Sequence, residues 1–309
     1  MGKLRSKDVL RSDQFSRDEI DRILETARRF EAAIDAGEVL DTMRGLVLST
    51  LFFEPSTRTR LSFETAMHRL GGSVITVAEA KSSSAAKGES LHDTIKTVEG
   101  YADVIVLRHP QIGAAAEAAA ATRQPVLNAG DGAGQHPTQS LLDLYTILKE
   151  QGKVDGLTIA LAGDLRNGRT VHSLALLLSN YGVRLLFVAP DALRMPSGIV
   201  DGVRATGVDV VETADLGEAL READVLYMTR IQRERFDDPS EYERLKDAFI
   251  LRREMLDAAK PNVTIMHPLP RVNEIVSDVD DHPGAAYFRQ SANGVPIRMA
   301  LLALVTGRV

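Results

Sequence analysis

The chain has no cysteine in its 309 residues. That excludes disulfides, thiolate metal sites and a cysteine nucleophile, and it fits a reducing, cytoplasmic setting. An excess of basic charge is also missing: 37 Lys and Arg stand against 43 Asp and Glu, a net charge of −6. Nucleic acid is therefore not an expected partner, and any anion site must be assembled locally against the overall field. No apolar run approaches the ~18 residues of a membrane span. Met1-Gly2-Lys3-Leu4-Arg5-Ser6 carries no apolar signal core, so no membrane association is expected. The loop Gly163 to Gly168 lacks the G-x-G-x-x-G spacing, which leaves a nicotinamide or flavin cofactor without support.

What is present is ordinary globular material, 44% apolar and 26% charged, in a chain long enough for two domains. An amphipathic helix is expected over 16–36, with Ile20, Ile23, Leu24, Ala27 and Phe30 on one face. Apolar or β-branched runs then recur at 46–53, 74–77, 103–107 and 125–128, and again at 157–162, 184–188, 208–211, 224–228 and 263–267. Helical patterns separate them. This rhythm predicts βαβ units, hence an α/β fold of two domains, each a mainly parallel sheet flanked by helices. A helix from Pro137 to Lys149 joins the halves, and an Ala/Leu-rich helix over about 294–306 packs back on a core. The expected domains are 1–137 with 292–309, and 138–291.

The most informative stretch is Ser56-Thr57-Arg58-Thr59-Arg60, placed between the apolar run ending at Phe53 and a helical face of Phe63, Ala66, Met67 and Leu70. A helix N-terminus offers unpaired N–H groups and the positive end of the dipole. Three hydroxyls and two guanidiniums there predict a phosphate cradle. The same residues also suit a plain N-cap followed by solvated arginines.

Ligands of open α/β sheets bind beyond the carboxyl ends of the strands. Here those ends carry Arg108-His109-Pro110, His136-Pro137-Thr138-Gln139, Gly163-Asp164 through Arg169-Thr170, Thr229-Arg230-Ile231-Gln232 and Pro268-Leu269-Pro270-Arg271. Five such coincidences predict one cleft lined by cations. Taken singly, a strand-end arginine also serves in surface ion pairs, and His136 also serves as a helix cap.

In this order, Phe52-Phe53-Glu54-Pro55-Ser56-Thr57-Arg58-Thr59-Arg60, Lys87-Gly88-Glu89-Ser90, Arg108-His109-Pro110, His136 to Asp143, Gly163-Asp164 with Gly168-Arg169-Thr170, Thr229 to Arg235 and His267 to Arg271 resemble the aspartate/ornithine carbamoyltransferase family over essentially the whole chain. The resemblance implies that the active site lies in the cleft between the domains and at a subunit interface. Ser56, Thr57, Arg58 and Thr59 would hold the phosphate of carbamoyl phosphate. Thr59, Arg108 and His136 would point at its carbonyl oxygen, Gln139 at its amide, and main-chain groups of Leu269 and Pro270 at the carbamoyl group and the attacking amine. Arg169, Arg230 and Gln232, with Lys87, would hold L-aspartate. Ser83 and Lys87 would reach the site from a neighbouring subunit of a homotrimer, and Ser84 competes with Ser83 for the hydroxyl role. Glu54 would pair with Arg169 or Arg235 in a closed state, and Glu234 with Arg230 if that stretch is helical.

The implied reaction is transfer of the carbamoyl group of carbamoyl phosphate to L-aspartate, for pyrimidine synthesis. It needs no cofactor, metal or side-chain nucleophile, because donors and cations suffice for an oxyanion and a leaving phosphate. Ornithine is the alternative acceptor. The basic run Arg230 to Arg235 favours an acidic acceptor, and the ornithine version of His267-Pro268-Leu269-Pro270 contains a cysteine that this chain lacks. An inactive scaffold would have lost charged site residues, and none is missing. The family also implies a possible regulatory chain or dihydroorotase-like partner.

Overall fold

The computed structural model describes residue 4 and residues 8–79, 84–236 and 238–309. It divides into two units: Met1–Leu142 with Asn293–Val309, and Asp143–Ala292. The first crossing between them falls inside the helix that the sequence starts at Pro137, so a boundary drawn at 137 and this one share an element.

In unit 1, Ser16 opens α1 (Arg17–Asp35) through a capping box with Glu19. Its stripe of Ile20, Ile23, Leu24, Ala27 and Phe30 is buried. The unit continues through β1 (Val47–Phe52), α2 (Thr57–Arg69), β2 (Ser73–Val77), α3 (Leu91–Val98), β3 (Val104–His109), α4 (Ala114–Ala121), β4 (Val126–Asp131) and α5 (Pro137–Gln151). Among the described residues the sheet is parallel with order β2-β1-β3-β4. Leu51, Ile105, Leu107 and Val126 of the strands pack with Ile95 of α3 and Ala114, Ala118 and Ala121 of α4. Strands covered by helices read as continuous apolar runs, which is why they were visible in the sequence.

Unit 2 contains β5 (Thr158–Ala162), α6 (Arg169–Leu178), β6 (Arg184–Val188), α7 (Ser197–Arg204), β7 (Asp209–Thr213), α8 (Leu216–Glu222), β8 (Val225–Met228), α9 (Pro239–Leu245), β9 (Thr264–Met266) and α10 (Tyr287–Ala292). Its described strands are parallel, in the order β7-β6-β5-β8-β9. The chain then returns to unit 1 as α11 (Gly294–Val305), buried along its length and packed on α1 and α2.

Both strand orders reverse direction once. The chain leaves β1 toward β2 on one side and comes back as β3 on the other; likewise it leaves β5 toward β6 and comes back as β8. Loops that diverge from such a switch point open a crevice at the carboxyl ends of the two strands. Each unit therefore owns one crevice position, fixed by topology before any side chain is considered.

Candidate functional site

In unit 1 the switch point lies between β1 and β3. Ser56 is the N-cap of α2, its side chain makes no capping bond, and the first turn holds no acidic residue. The first intrahelical bond runs from the Arg60 N–H to the Ser56 carbonyl at 3.2 Å, so the amides of Thr57, Arg58 and Thr59 precede the ladder and point outward from the helix end. Thr59 is buried while Thr57 and Arg58 are exposed. Arg60 departs from the expected cradle: its guanidinium turns along the helix to Glu64 at 3.4 Å, an i,i+4 pair. Of the two arginines expected in the cradle, Arg60 is therefore engaged within its own helix.

Arg108, next to last in β3, lies in register with Phe52 of β1. Its Nη1 donates to the Ala129 carbonyl at 3.1 Å and its Nη2 to Glu54, so a buried guanidinium is oriented from both flanks. Glu54 accordingly lies on Arg108 within unit 1. Next to it His109 stacks its edge on Phe53 at 5.5 Å, and burial lowers its pKa.

The turn after β4 is tied down by Asp131, which accepts the Gln135 and Gly113 amides at 2.7 and 2.9 Å. Gly132 adopts φ +55, and a Cβ there would meet the Pro110 carbonyl at 2.4 Å. That close approach fixes the turn against the end of β3. The turn delivers His136, whose carbonyl accepts the Ser140 amide at 3.2 Å and begins α5, with Pro137 at the first helical position. His136 and Gln139 are both buried, alongside Arg108 at the neighbouring strand end.

In unit 2 the switch point lies between β5 and β8. Gly163 follows β5 with φ +121, and a Cβ would lie 2.2 Å from the Thr229 carbonyl, so only glycine lets the two strand ends meet. Asp164, fully buried, accepts the Asn167 amide at 2.9 Å and the Gln232 amide at 3.5 Å. Burial raises its pKa. Gln232 Nε2 donates to the Asn167 carbonyl at 3.3 Å. The loop ending in Arg169 and the stretch Thr229 to Gln232 are therefore one bonded assembly, with Arg169 and Arg230 both part-exposed.

The third strand end of unit 2 is built on His267. Its Nδ1 accepts the Leu269 amide at 2.8 Å and its Nε2 faces Glu274 Oε1 at 2.7 Å. Glu274 Oε2 accepts the Val272 and Asn273 amides at 3.1 Å each. The turn so closed carries a cis Leu269–Pro270 bond, with Leu269 at φ 54. Arg271, counted in the sequence among the cleft cations, is instead committed to Asp280, at 2.6 Å for Nη2, and lies 5.1 Å from the Tyr287 ring centre.

Lys87 ends the 3-10 turn Ser84–Lys87 and is exposed; Ser83 lies outside the described residues. Arg230 to Gln232 are not helical and Arg233–Arg235 form a 3-10 turn, so the helical spacing required for an Arg230–Glu234 pair is missing. Sequence reasoning gave no role to Asp164, Tyr227, Glu274 or Gln290. Only Asp164 had a local signal, its place in a strand-to-helix loop.

Two family profiles tile the chain: "Aspartate/ornithine carbamoyltransferase, carbamoyl-P binding domain" over residues 7–149, and "Aspartate/ornithine carbamoyltransferase, Asp/Orn binding domain" over residues 155–305. The chain is 57% identical over 303 residues to an aspartate carbamoyltransferase catalytic subunit of Thermococcus kodakarensis, covering 98% of each. It is similar in structure, with a TM-score of 0.93 and 45% identity over 97% of each chain, to Trypanosoma cruzi aspartate transcarbamoylase in complex with carbamoyl phosphate and aspartate. The same T. cruzi enzyme in complex with N-(phosphonacetyl)-L-aspartic acid gives a TM-score of 0.92 at 45% identity, covering 97% of this chain and 96% of that one.

Proposed function

The chain belongs to the aspartate/ornithine carbamoyltransferase family, and from that premise we propose that it transfers the carbamoyl group of carbamoyl phosphate to the amine of L-aspartate. The products are N-carbamoyl-L-aspartate and phosphate, in the cytoplasm, for pyrimidine synthesis. The observation that carries the reading is the pairing of two switch points of different character. One presents a helix N-terminus with hydroxyls, Arg58 and an oriented Arg108; the other presents Arg169, Arg230 and Gln232 on a single bonded frame.

The amine nitrogen attacks the carbamoyl carbon, a tetrahedral oxyanion forms, and the carbon–oxygen bond to phosphate breaks. Ser56, Thr57, Arg58 and Thr59 hold the phosphate, which takes negative charge as it leaves. Thr59, Arg108 and His136 face the oxyanion, Gln139 the carbamoyl amide. Arg169, Arg230 and Gln232, with Lys87, hold the two carboxylates of aspartate, and the Leu269 and Pro270 main chain orients the amine. The departing phosphate accepts the amine proton, so no side-chain base is required. Catalysis then rests on alignment and on donors in place before charge develops.

The assembly proposed is a homotrimer in which Ser83 and Lys87 serve the neighbouring subunit's site, with a regulatory chain or dihydroorotase-like partner able to join it. Among the described residues no helix is long and apolar enough to cross a membrane. Incubating the protein with labelled carbamoyl phosphate and either aspartate or ornithine tests the reading. Carbamoyl-aspartate is the expected product; citrulline alone would overturn the choice of acceptor. A crystal structure with a phosphonate mimic of both substrates, bearing two carboxylates, tests the residue roles together.

A further inference from the structure

Beneath the aspartate half of the site runs a buried polar chain that takes no part in the chemistry. Asp143, fully buried where α5 enters unit 2, accepts the Tyr227 hydroxyl on Oδ2 at 2.9 Å and the Gln290 amide on Oδ1 at 2.6 Å. Gln290 Oε1 accepts the His267 backbone N–H at 2.8 Å. The Thr170 side chain lies close enough to the Tyr227 hydroxyl to interact with it.

Three of these residues lie one to three positions from a residue assigned to the reactants. Thr170 follows Arg169 at the start of α6; Tyr227 leads through the end of β8 to Arg230; His267 leads to Leu269, whose amide it holds. A buried network whose donors and acceptors are matched has one low-energy arrangement, because any slip leaves a polar group unpaired in a medium that penalises it. An apolar plug would fill the same space without fixing how three loops lie relative to one another.

Resting on the function proposed above, we propose that Asp143 and Gln290 are positioning residues: their hydrogen bond sets the register of the three loops that receive aspartate. They govern aspartate use and leave carbamoyl phosphate binding by unit 1 untouched.

Reciprocal exchange tests this in the full-length enzyme. D143N leaves one acceptor where two stood, so its NH2 must face the donor of either Gln290 or Tyr227, and Q290E sets two carboxylates together. The double variant D143N/Q290E can restore each of the bonds to Tyr227, position 290 and His267. Its amide at position 143 donates to the carboxylate at position 290, which still accepts from His267, and the amide oxygen at position 143 still accepts from Tyr227. At a temperature where all variants are folded, each single variant should raise the KM for aspartate roughly tenfold, and the double variant should return to within about threefold of the parent. The dissociation constant of carbamoyl phosphate alone should stay within about twofold throughout. Tyr227→Phe, which deletes one hydroxyl, should shift the aspartate KM the same way by a smaller factor, and it carries the test if the charge-altering variants do not fold.

Unchanged aspartate KM in the single variants or in Y227F, a double variant as impaired as the worse single one, or a parallel loss of carbamoyl phosphate affinity would each overturn the inference while the reaction stands. A parent enzyme that forms no carbamoyl-aspartate would remove the functional reading and this inference together.

Discussion

Glu274 accepts the Nε2–H of His267 at 2.7 Å, with both side chains buried beneath the Leu269–Pro270 turn. Because the Leu269 amide donates to Nδ1, that nitrogen carries no proton. The imidazole is therefore neutral and its single N–H is given to the carboxylate.

This pair sets a direction for acid sensitivity. Burial lowers the pKa of His267, and likewise those of His109, His172 and His282. Burial pushes Glu274 up, but the hydrogen bond from His267 and those from backbone amides outweigh it, so its pKa is lowered. As pH falls below ~6.5, the unfolded chain binds protons that the folded histidines refuse, and Glu274 adds the same sign below ~4.5. Stability is fully present above ~6.5 and declines with acid. Thermal melts at pH 7.5 and 5.5 should show the loss, and His267→Asn, which keeps an acceptor for Leu269 but cannot titrate, should show a smaller one. An equal loss in the variant would exclude His267 as a contributor.

Gly163→Ala places a Cβ 2.2 Å from the Thr229 carbonyl at a φ of +121. The β5 and β8 ends must separate, at a cost of about 2–3 kcal/mol in unfolding free energy. Since Arg169 and Arg230 ride on those ends, the KM for aspartate should rise as well. Denaturant melts and steady-state assays on one preparation measure both; wild-type values in either would show that the contact yields freely.

His136→Ala should lower kcat by about 10²–10³ with modest change in the KM for carbamoyl phosphate, the pattern of a donor used chiefly in the transition state. Arg58→Ala should depress kcat and carbamoyl phosphate affinity together, because the phosphate is held before and during the reaction. Identical profiles for the two variants would contradict the division of roles.

Glu54→Gln removes a negative charge from beside Arg108. An incoming phosphate group no longer meets that charge, so inorganic phosphate should bind several-fold more tightly, on the order of 1 kcal/mol. Calorimetric titration of phosphate into both proteins checks the sign. Weaker binding by the variant would mean that Glu54 serves mainly to hold Arg108 in place.

Much of the fold was legible because its signals are local. The stripe on α1 and the apolar runs of β1, β3, β5 and β6 announce their own burial, and Ser56 to Thr59 announce a helix start by residue type. Pairing across the chain is another matter. Nothing near Arg60 separates it from Arg58, yet Glu64 diverts it; nothing near Arg271 marks it as structural, yet Asp280 and Tyr287 occupy it. Asp143 stood within a recognisable motif, but its partners Tyr227 and Gln290 lie 84 and 147 residues away. Tertiary approach decides such contacts, and one sequence read along its length does not display it.

The return of α11 to α1 and α2 also orders events at the ribosome. Unit 2 is one uninterrupted stretch, so its whole sequence emerges before Gly294–Val305 does. Unit 1 begins first yet closes last, its opening helices waiting with an apolar face uncovered until the twelve residues of α11 clear the exit tunnel. A nascent chain stalled before α11 emerges would be a finished insert hanging from an unfinished host.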